Sequence, residues 1–376
     1  MIEARAFIAA AAERGFRLYT GVPCSYLTPF INFTIGAQQL RYVAAANEGD
    51  AVAIAAGSEL GGAPAIAMFQ NSGLGNAVSP LSSLTHTFRI PVLLIITWRG
   101  EPGGAPDEPQ HGLMGEITPA LLELLQIPWA LFPKDEAGIA PAVDRAVAHM
   151  RTERRPYALV MQKGSVAEAK LQAVPAAAAP APASGRPRMS GQHTRHEMLG
   201  AIRAAAGGDV LLATTGYTGR ELYALGDSPN QLYMVGSMGC AVSLALGLAL
   251  ARPDRRVIAI DGDGALLMRL GALSTAGAER PPNLVHVLLD NGLHESTGGQ
   301  ATASASVDFC ALAHASGYPE VAAINEPAAL ATALSSRQAG LRFIHVPITA
   351  GIPERLPRPT MAPAEVALRL RAHLGA

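Results

Sequence analysis

The sequence predicts an α/β protein made of two doubly wound, parallel-sheet domains. Each half of the chain alternates apolar runs of strand length with segments of helix length. The runs are apolar throughout, which is typical of strands covered by helices on both faces of a parallel sheet. Between the halves, "VPAAAAPAPASGRPR" (174–188) lacks apolar periodicity and indicates an extended linker. We expect a first domain over residues 1–170, a linker over 171–190 and a second domain over 191–376.

The first half begins with a predicted helix. In "MIEARAFIAAAAERG" an apolar stripe at helical spacing lies among charged residues, a pattern unlike that of a signal peptide. Five predicted strands follow, and their sequences are "FRLYTGV", "LRYVAAA", "AIAMFQ", "PVLLIITW" and "YALVMQK".

The second half resumes the alternation without an obvious sequence repeat. Thr194 and Glu197 have the spacing of a capping box and predict the start of a helix. Five further strands are predicted, and their sequences are "DVLLATTG", "QLYMVG", "RVIAIDGDG", "LVHVLLDNG" and "LRFIHVPI".

The composition indicates a globular protein that binds a small molecule. Of the 376 residues 49% are hydrophobic, and 29 basic residues nearly cancel 30 acidic ones. This balance argues against nucleic acid or a membrane surface as an electrostatic partner. The longest strongly apolar stretch, Cys240 to Ala251, is too short to cross a bilayer. Three scattered cysteines form no disulfide or zinc pattern, so we expect a cytoplasmic location.

Polar side chains follow two predicted strands at the point where each ends. Asp263 stands between two glycines, and Asn291 follows the next strand, 28 residues later. Carboxyl ends of neighbouring parallel strands meet at one edge of a sheet, where α/β proteins bind ligands. A carboxylate and an amide oxygen suit Mg²⁺, which takes its other ligands from water and substrate phosphates. The tripeptide alone is more typical of a simple turn, and Asn291 at the distance of one crossover is what favours a metal site.

A glycine-containing turn, Gly236 to Gly239, separates another predicted strand from an apolar helix. Free backbone N–H groups at the start of that helix are suited to a diphosphate. The alternative is that the glycines only allow close packing of helix on sheet.

These residues carry a resemblance. Gly262-Asp263-Gly264 with Asp290-Asn291 resembles the metal–diphosphate motif of thiamine diphosphate enzymes, although Asp290 replaces the first Asn of the usual pair. The resemblance implies that Mg²⁺ is held by Asp263, Asn291 and the carbonyl of Leu293. It implies thiamine diphosphate as cofactor, bound by Thr215, Gly216, Gly236, Ser237, Met238, Asp263, Gly264 and Asn291.

Glu48 is the residue of the first half that this resemblance singles out. In "AAANEGDAVAIAAG" it follows a predicted strand and opens a helix. The resemblance implies that its carboxyl acts on the aminopyrimidine ring of the cofactor. The alternative is a favourable charge at a helix N-terminus.

The chain lacks room for the middle domain of larger decarboxylases of this class. It is similar to the short members, the phosphonopyruvate and sulfopyruvate decarboxylases, and the block from Met68 to His111 most resembles the former. The implied reaction is the decarboxylation of 3-phosphonopyruvate to phosphonoacetaldehyde in phosphonate biosynthesis. Alternatives are decarboxylation of sulfopyruvate, a carboligase reaction, or a non-catalytic phosphate-binding module.

The resemblance also implies further active-site residues. Ser25 lies where simple 2-keto-acid decarboxylases carry an Asp, and a hydroxyl avoids repelling a phosphonate. With Glu48, the expected catalytic residues are Ser25, His111 and His294. The expected substrate-binding residues are Ser25, Asn71, Ser72, His111, Ser296 and Thr297. Arg99, Lys163 and Arg220 are possible phosphonate partners, with surface solvation as the alternative.

Assembly is the last expectation. In the resembled family the pyrimidine-binding half of one subunit faces the diphosphate-binding half of another. We therefore expect a homo-oligomer, at least a dimer, in which Glu48 of one chain reaches cofactor held by Asp263 and Asn291 of its neighbour. The alternative is that the two halves of a single chain meet.

Overall fold

The computed structural model describes residues 1–169, 190–297 and 299–376, which form two compact units on either side of residues 170–189. Each unit holds a six-stranded sheet in which all strands are parallel. The predicted fold class is therefore confirmed. The predicted linker lies outside the described residues except at Ser190, so the domain limits at 170 and 191 stay predictions.

The first unit contains all five strands predicted for it and one more. They are β1 (Leu18–Gly21), β2 (Arg41–Ala44), β3 (Ala65–Gln70), β4 (Leu93–Thr97), β5 (Trp129–Leu131) and β6 (Tyr157–Met161). Their spatial order is β2-β1-β3-β4-β6-β5. The unpredicted strand, β5, is three residues long and only partly buried at the sheet edge, so it has no run of buried side chains.

Helices cover the sheet of the first unit. They are α1 (Ala4–Glu13), α2 (Thr28–Gly36), α3 (Glu48–Leu60), α4 (Leu74–Pro80), α5 (Gly112–Leu124) and α6 (Ile139–Glu153). The first of them confirms the predicted N-terminal helix and buries Phe7, whose ring packs against Phe30 and Phe132. Almost every residue of helix α3 is buried. Many of its residues are small, which lets the helix lie close to the sheet.

The second unit also contains its five predicted strands. Its elements in chain order are β7 (Val210–Ala213), β8 (Gln231–Tyr233), β9 (Val257–Gly262), β10 (Leu284–Asp290), β11 (Leu293–His294), β12 (Gln300–Ala301), β13 (Glu320–Ala323) and β14 (Arg342–Pro347). The sheet order is β13-β14-β10-β9-β7-β8, and β11 pairs with β12 as a separate antiparallel ribbon. Strand β13 was not predicted because "EVAA" is short and only half-buried.

Eight helices are described for the second unit: α7 (Arg195–Ala206), α8 (Tyr217–Ala224), α9 (Ala241–Ala251), α10 (Asp263–Met268), α11 (Gly271–Glu279), α12 (Phe309–Ala315), α13 (Pro327–Ser335) and α14 (Pro363–Leu374). The predicted capping box at Thr194 and Glu197 is confirmed. The apolar stretch ending at Ala251 forms the buried helix α9. Among the described helices, none has the length and apolar character needed to cross a membrane.

The topology of the second sheet explains why the predicted polar residues can meet. Strand β9 pairs with β7 on one side and β10 on the other, all in parallel. The loops that follow these three strands therefore leave the same edge of the sheet. Thr215 lies in the loop after β7, Asp263 in the loop after β9 and Asn291 in the loop after β10.

Candidate active site

An open cleft lies at the carboxyl ends of β7, β9 and β10 in the second unit. It is lined by nine of the residues expected there, namely Thr215, Gly216, Met238, Asp263, Gly264, Asn291, Leu293, His294 and Ser296. Gly236 and Ser237 are not among its lining residues. Thr297 ends a short 3₁₀ turn that begins at Glu295, and its side chain is outside what is described.

Asp263 is the buried carboxylate of this cleft. It follows strand β9 and begins α10, and its Oδ2 accepts a hydrogen bond of 2.5 Å from Thr302 Oγ1. Burial raises the pKa of Asp263, and the nearby charge of Asp290 adds to that increase. A cation bound at the cleft would stabilise the ionised form. The carboxylate therefore fits a metal ligand better than a turn residue.

Asn291 and Leu293 lie on the neighbouring loop. Oδ1 of Asn291 accepts a hydrogen bond of 3.0 Å from the backbone N–H of Leu293, which closes a tight turn. Gly292, between them, has φ +69°, a conformation that favours glycine. The turn fixes the amide side chain and the backbone of Leu293 on the same wall of the cleft.

Asp290 has a different role from its neighbour. Its carboxylate accepts hydrogen bonds from Ser304 Oγ at 2.7 Å, His345 Nε2 at 2.9 Å and the Gly292 N–H at 3.1 Å. Burial acts to raise the pKa of Asp290, but the hydrogen bonds from His345 and Ser304 outweigh it and lower the pKa. Asp290 thus anchors the loop that carries Asn291.

The donor set fits a small hard cation. One carboxylate, one amide oxygen and one backbone carbonyl are the oxygen ligands that Mg²⁺ accepts, with other positions left to water and phosphate. Over the described ranges, no three His, Cys, Asp or Glu side chains gather as a metal site. The described residues of this cleft therefore do not form a transition-metal centre of such side chains.

Two glycines set the shape of the cleft. A Cβ on Gly264 would lie 2.5 Å from Cε1 of His294, so only glycine allows the imidazole to lie so close. Gly216 has φ +93°, and a Cβ there would lie 3.4 Å from Ser296 Oγ. The loops after β7 and β10 therefore approach each other closely at this point.

Arg195 is a lining residue that the sequence analysis missed. It begins α7, and its buried guanidinium donates to Glu221 at 2.6 Å and to Glu295. Thr302 and Ser304 were also missed. All three lie away from the ends of the predicted strands, so their places in the sequence carry no signal of a site.

Glu48 occupies the corresponding edge of the sheet in the first unit. It is the half-buried first residue of α3, and Asn76 Nδ2 donates to its Oε2 at 2.8 Å. A Cβ on Gly73 would lie 2.0 Å from Glu48 Oε1. Asn47, and not Glu48, caps the helix by accepting from the Asp50 N–H. Glu48 also lies in the first turn of α3 together with Asp50, so the alternative of a favourable charge at the helix N-terminus stays open.

The loop from Arg99 to His111 is closed by an ion pair. Arg99 donates to Asp107, which also accepts from the Gly100 N–H at 3.0 Å and the Glu108 N–H at 2.8 Å. The Arg99 hydrogen bonds hold the pKa of Asp107 well below its usual range. His111 is buried, and its Nδ1 has no hydrogen-bond partner among the described residues.

The remaining expected residues of the first unit differ in exposure. Asn71 is fully buried, and its amide bonds to the backbone of Arg99 and to Thr118, which makes it a brace for the loop. Ser72 is exposed and accepts from Gln70 Nε2. Ser25 is exposed at the start of a 3₁₀ turn. Of these three, the serines are the ones open to a substrate.

The possible phosphonate cations also differ. Arg99 is already paired with Asp107. Arg220 donates to the carbonyls of Leu356 and Pro357 and lies over the ring of Tyr217. Lys163 is exposed. Two of the three positive charges are therefore engaged in fixing loops.

Comparison with known proteins gives a consistent result over the whole chain. Residues 2–121 match the N-terminal TPP-binding domain of thiamine pyrophosphate enzymes, and residues 217–346 match the C-terminal one. A phosphonopyruvate decarboxylase of Streptomyces viridochromogenes is 44% identical, over 99% of this chain and 95% of that protein. That of Streptomyces hygroscopicus is 43% identical, over 99% and 94%. A sulfopyruvate decarboxylase of Methanosarcina acetivorans is 28% identical, over 96% and 95%.

A solved structure shares the fold. Benzoylformate decarboxylase from Polynucleobacter necessarius matches with a TM-score of 0.71 at 14% identity, over 94% of this chain and 100% of that one. At this identity the match supports the fold alone.

Proposed function

We propose that this chain, which belongs to the thiamine pyrophosphate enzymes and within them to the phosphonopyruvate decarboxylase family, decarboxylates 3-phosphonopyruvate with the help of Mg²⁺. One proton is consumed, and the products are phosphonoacetaldehyde and carbon dioxide. The observation that carries the proposal is the meeting of Asp263, Asn291 and Leu293 in one cleft of the second unit. It is the donor set that a metal–diphosphate pair requires.

The cofactor, thiamine diphosphate, supplies an electron sink for the bond that breaks when carbon dioxide leaves. Asp263, Asn291 and the Leu293 carbonyl would hold the metal, and Gly216 and Gly264 would let the backbone lie close to the diphosphate. Glu48 would hold and move a proton at the aminopyrimidine ring. The hydrogen bond from Asn76 and the close approach to Gly73, which fix the carboxylate, support this role.

The substrate carries a carboxylate and a phosphonate, so its site should present donors rather than anions. Ser25 and Ser72 are exposed hydroxyls that carry no charge. His111 and His294 would provide or accept protons near the reacting carbon. The buried, unpaired Nδ1 of His111 supports such a role.

The assay that tests the proposal measures carbon dioxide release from 3-phosphonopyruvate, with and without Mg²⁺ and thiamine diphosphate. We expect release only when both are present. Sulfopyruvate is the rival substrate, and the lower identity to its decarboxylase favours the phosphonate. Faster release from sulfopyruvate would reverse the assignment. Consumption of an added aldehyde would instead reveal a carboligase. If neither acid released carbon dioxide, the protein would be a non-catalytic binding module.

The setting of the reaction is part of the proposal. We assign it to phosphonate biosynthesis, in the cytoplasm, where three free cysteines would stay reduced. We also propose a homo-oligomer whose active sites use Glu48 of one chain with Asp263 and Asn291 of another. This last point depends on the family resemblance.

A further inference from the structure

Arg195 connects two loops that line the cleft of the second unit. We define the first wall as Thr214–Thr218, which follows β7, and the second wall as Leu293–Ser296, which follows β10. Arg195 belongs to neither wall, since it is the first residue of α7. Its guanidinium nevertheless donates to a carboxylate associated with each wall.

The partner on the side of the first wall is Glu221. It lies on α8, the helix that begins at Tyr217, and accepts from Arg195 at 2.6 Å. The Arg195 guanidinium carbon also lies 5.9 Å from the centroid of the Tyr217 ring. Arg195 thus contacts two residues, Tyr217 and Glu221, of the helix that continues the first wall.

The partner on the side of the second wall is Glu295, which stands between His294 and Ser296. Its carboxylate accepts from Arg195 and, at 2.6 Å, from the N–H of Gly351. Glu295 has no regular strand or long helix to hold it, because it begins a three-residue 3₁₀ turn. These hydrogen bonds fix Glu295 itself, whereas Leu293 and His294 before it are held by the ribbon of β11 and β12.

All three charged groups are withdrawn from water. The side chains of Arg195, Glu221 and Glu295 are 6%, 1% and 7% exposed. Removal of one member of a buried ion network leaves a charge without compensation, so the remaining groups must move towards water. At this site a movement of Glu295 would displace its neighbours His294 and Ser296.

We propose that Arg195 is a positioning residue that sets the separation of the two walls and so prepares the cleft for the diphosphate and metal of the cofactor. The walls approach closely, because a Cβ on Gly216 would lie 3.4 Å from Ser296 Oγ. Small shifts of either wall therefore change the space available to a ligand. This inference depends on the proposed binding of thiamine diphosphate in the cleft.

The test measures the dissociation constant of thiamine diphosphate at saturating Mg²⁺ by calorimetry, together with kcat at saturating cofactor. Arg195→Gln should weaken cofactor binding by about tenfold or more, the range seen when groups that orient metal ligands are removed. Loss of kcat at saturating cofactor should be smaller, because Arg195 moves no proton in the reaction.

Arg256→Gln is the matched control. Arg256 is also largely buried and pairs with Asp209 through a 2.7 Å hydrogen bond, but it lies at the start of β9, at the opposite edge of the sheet. Both variants should lower the melting temperature, whereas only Arg195→Gln should change the dissociation constant. Equal cofactor binding by wild type and Arg195→Gln would overturn the positioning role.

Two further variants cover the case in which Arg195→Gln does not fold. Arg195→Lys keeps the charge without the planar fork that reaches both carboxylates, and Glu295→Gln weakens only the link to the second wall. Each should weaken cofactor binding, and binding unchanged in both would refute the inference. A wild-type protein that binds no thiamine diphosphate would instead refute the proposed function.

Discussion

The carboxylate of Glu48 lies where a side chain on Gly73 would begin, so close that a methyl group on Gly73 would come within 2.0 Å of Glu48 Oε1. Gly73 has φ −84°, which any residue adopts, so the contact and not the backbone requires glycine. Gly73→Ala should therefore fold and displace the carboxylate. We expect kcat to fall by about a hundredfold, as for a misplaced catalytic group.

Gly75→Ala is the control for that variant. It adds the same methyl group two residues later, where no described residue comes within 4 Å of the new atom. Its kcat should remain within about twofold of wild type, and melting temperatures of both variants verify folding. If Gly73→Ala were as active as Gly75→Ala, the position of the Glu48 carboxylate would not matter for the reaction.

Glu48→Gln tests the chemistry of the same position. The amide has nearly the same shape but cannot exchange the proton that the carboxyl is proposed to transfer at the aminopyrimidine ring. We expect thiamine diphosphate to bind with about the wild-type affinity while kcat falls by at least about a hundredfold. Exchange of the C2 proton of the bound cofactor, followed by NMR, should slow in parallel. An unchanged exchange rate would remove Glu48 from the mechanism.

Asp263 and Thr302 test the metal site. Asp263→Ala should abolish retention of Mg²⁺ and thiamine diphosphate, because the metal would lose the one carboxylate of its proposed protein ligands. Thr302→Val removes the hydroxyl that donates to Asp263 and should weaken Mg²⁺ binding by about tenfold.

The control for Thr302→Val is Ser306→Ala, in the same short turn. Within the described part of the chain, the Ser306 hydroxyl donates only to the carbonyl of Ala303. Titration of Mg²⁺ into each variant in the presence of thiamine diphosphate gives the comparison. Retention of cofactor by Asp263→Ala at the wild-type level would rule out the proposed metal ligands.

Much of the fold could be predicted because its strands are long, apolar and buried on both faces. Strands such as β4 and β9 appear as continuous apolar runs with polar residues just beyond them. Strands β5 and β13 were missed since each lies at a sheet edge and is at most half-buried, so burial imposes no pattern on their sequences.

The candidate site was predictable only where it follows strand ends. Asp263 and Asn291 could be placed because β9 and β10 are neighbours in the sheet. Other side chains of the site have partners in distant parts of the chain: Thr302 is 39 residues from Asp263, and Arg195 is 100 residues from Glu295. Such pairs depend on the three-dimensional packing of loops, for which a single sequence contains no local signal.

The pairing of Asp107 with Arg99 predicts a pH dependence. The folded protein holds the pKa of Asp107 below its unfolded value, mainly through hydrogen bonds from Arg99. The stability that this pair contributes is therefore present above about pH 4 and is lost as the pH falls further. Asp107→Asn should lower the melting temperature by about 1 to 3 °C at pH 7 and by progressively less below pH 4. A difference that stays constant down to pH 3 would contradict the ion pair.

Shared active sites give the last prediction. Asp263→Ala lacks the proposed metal ligand of the second unit, and Glu48→Gln lacks the proposed proton-transfer group of the first, so each protein alone should be inactive. If sites combine Glu48 of one chain with Asp263 of another, mixed dimers contain one site with both residues intact. Mixing the two variants after mild dissociation should then restore up to about a quarter of wild-type activity, because about half of randomly paired dimers are mixed and each has one of two sites intact. Mass spectrometry of differently labelled chains verifies subunit exchange. Exchange without recovered activity would show that the two units of a single chain supply one site.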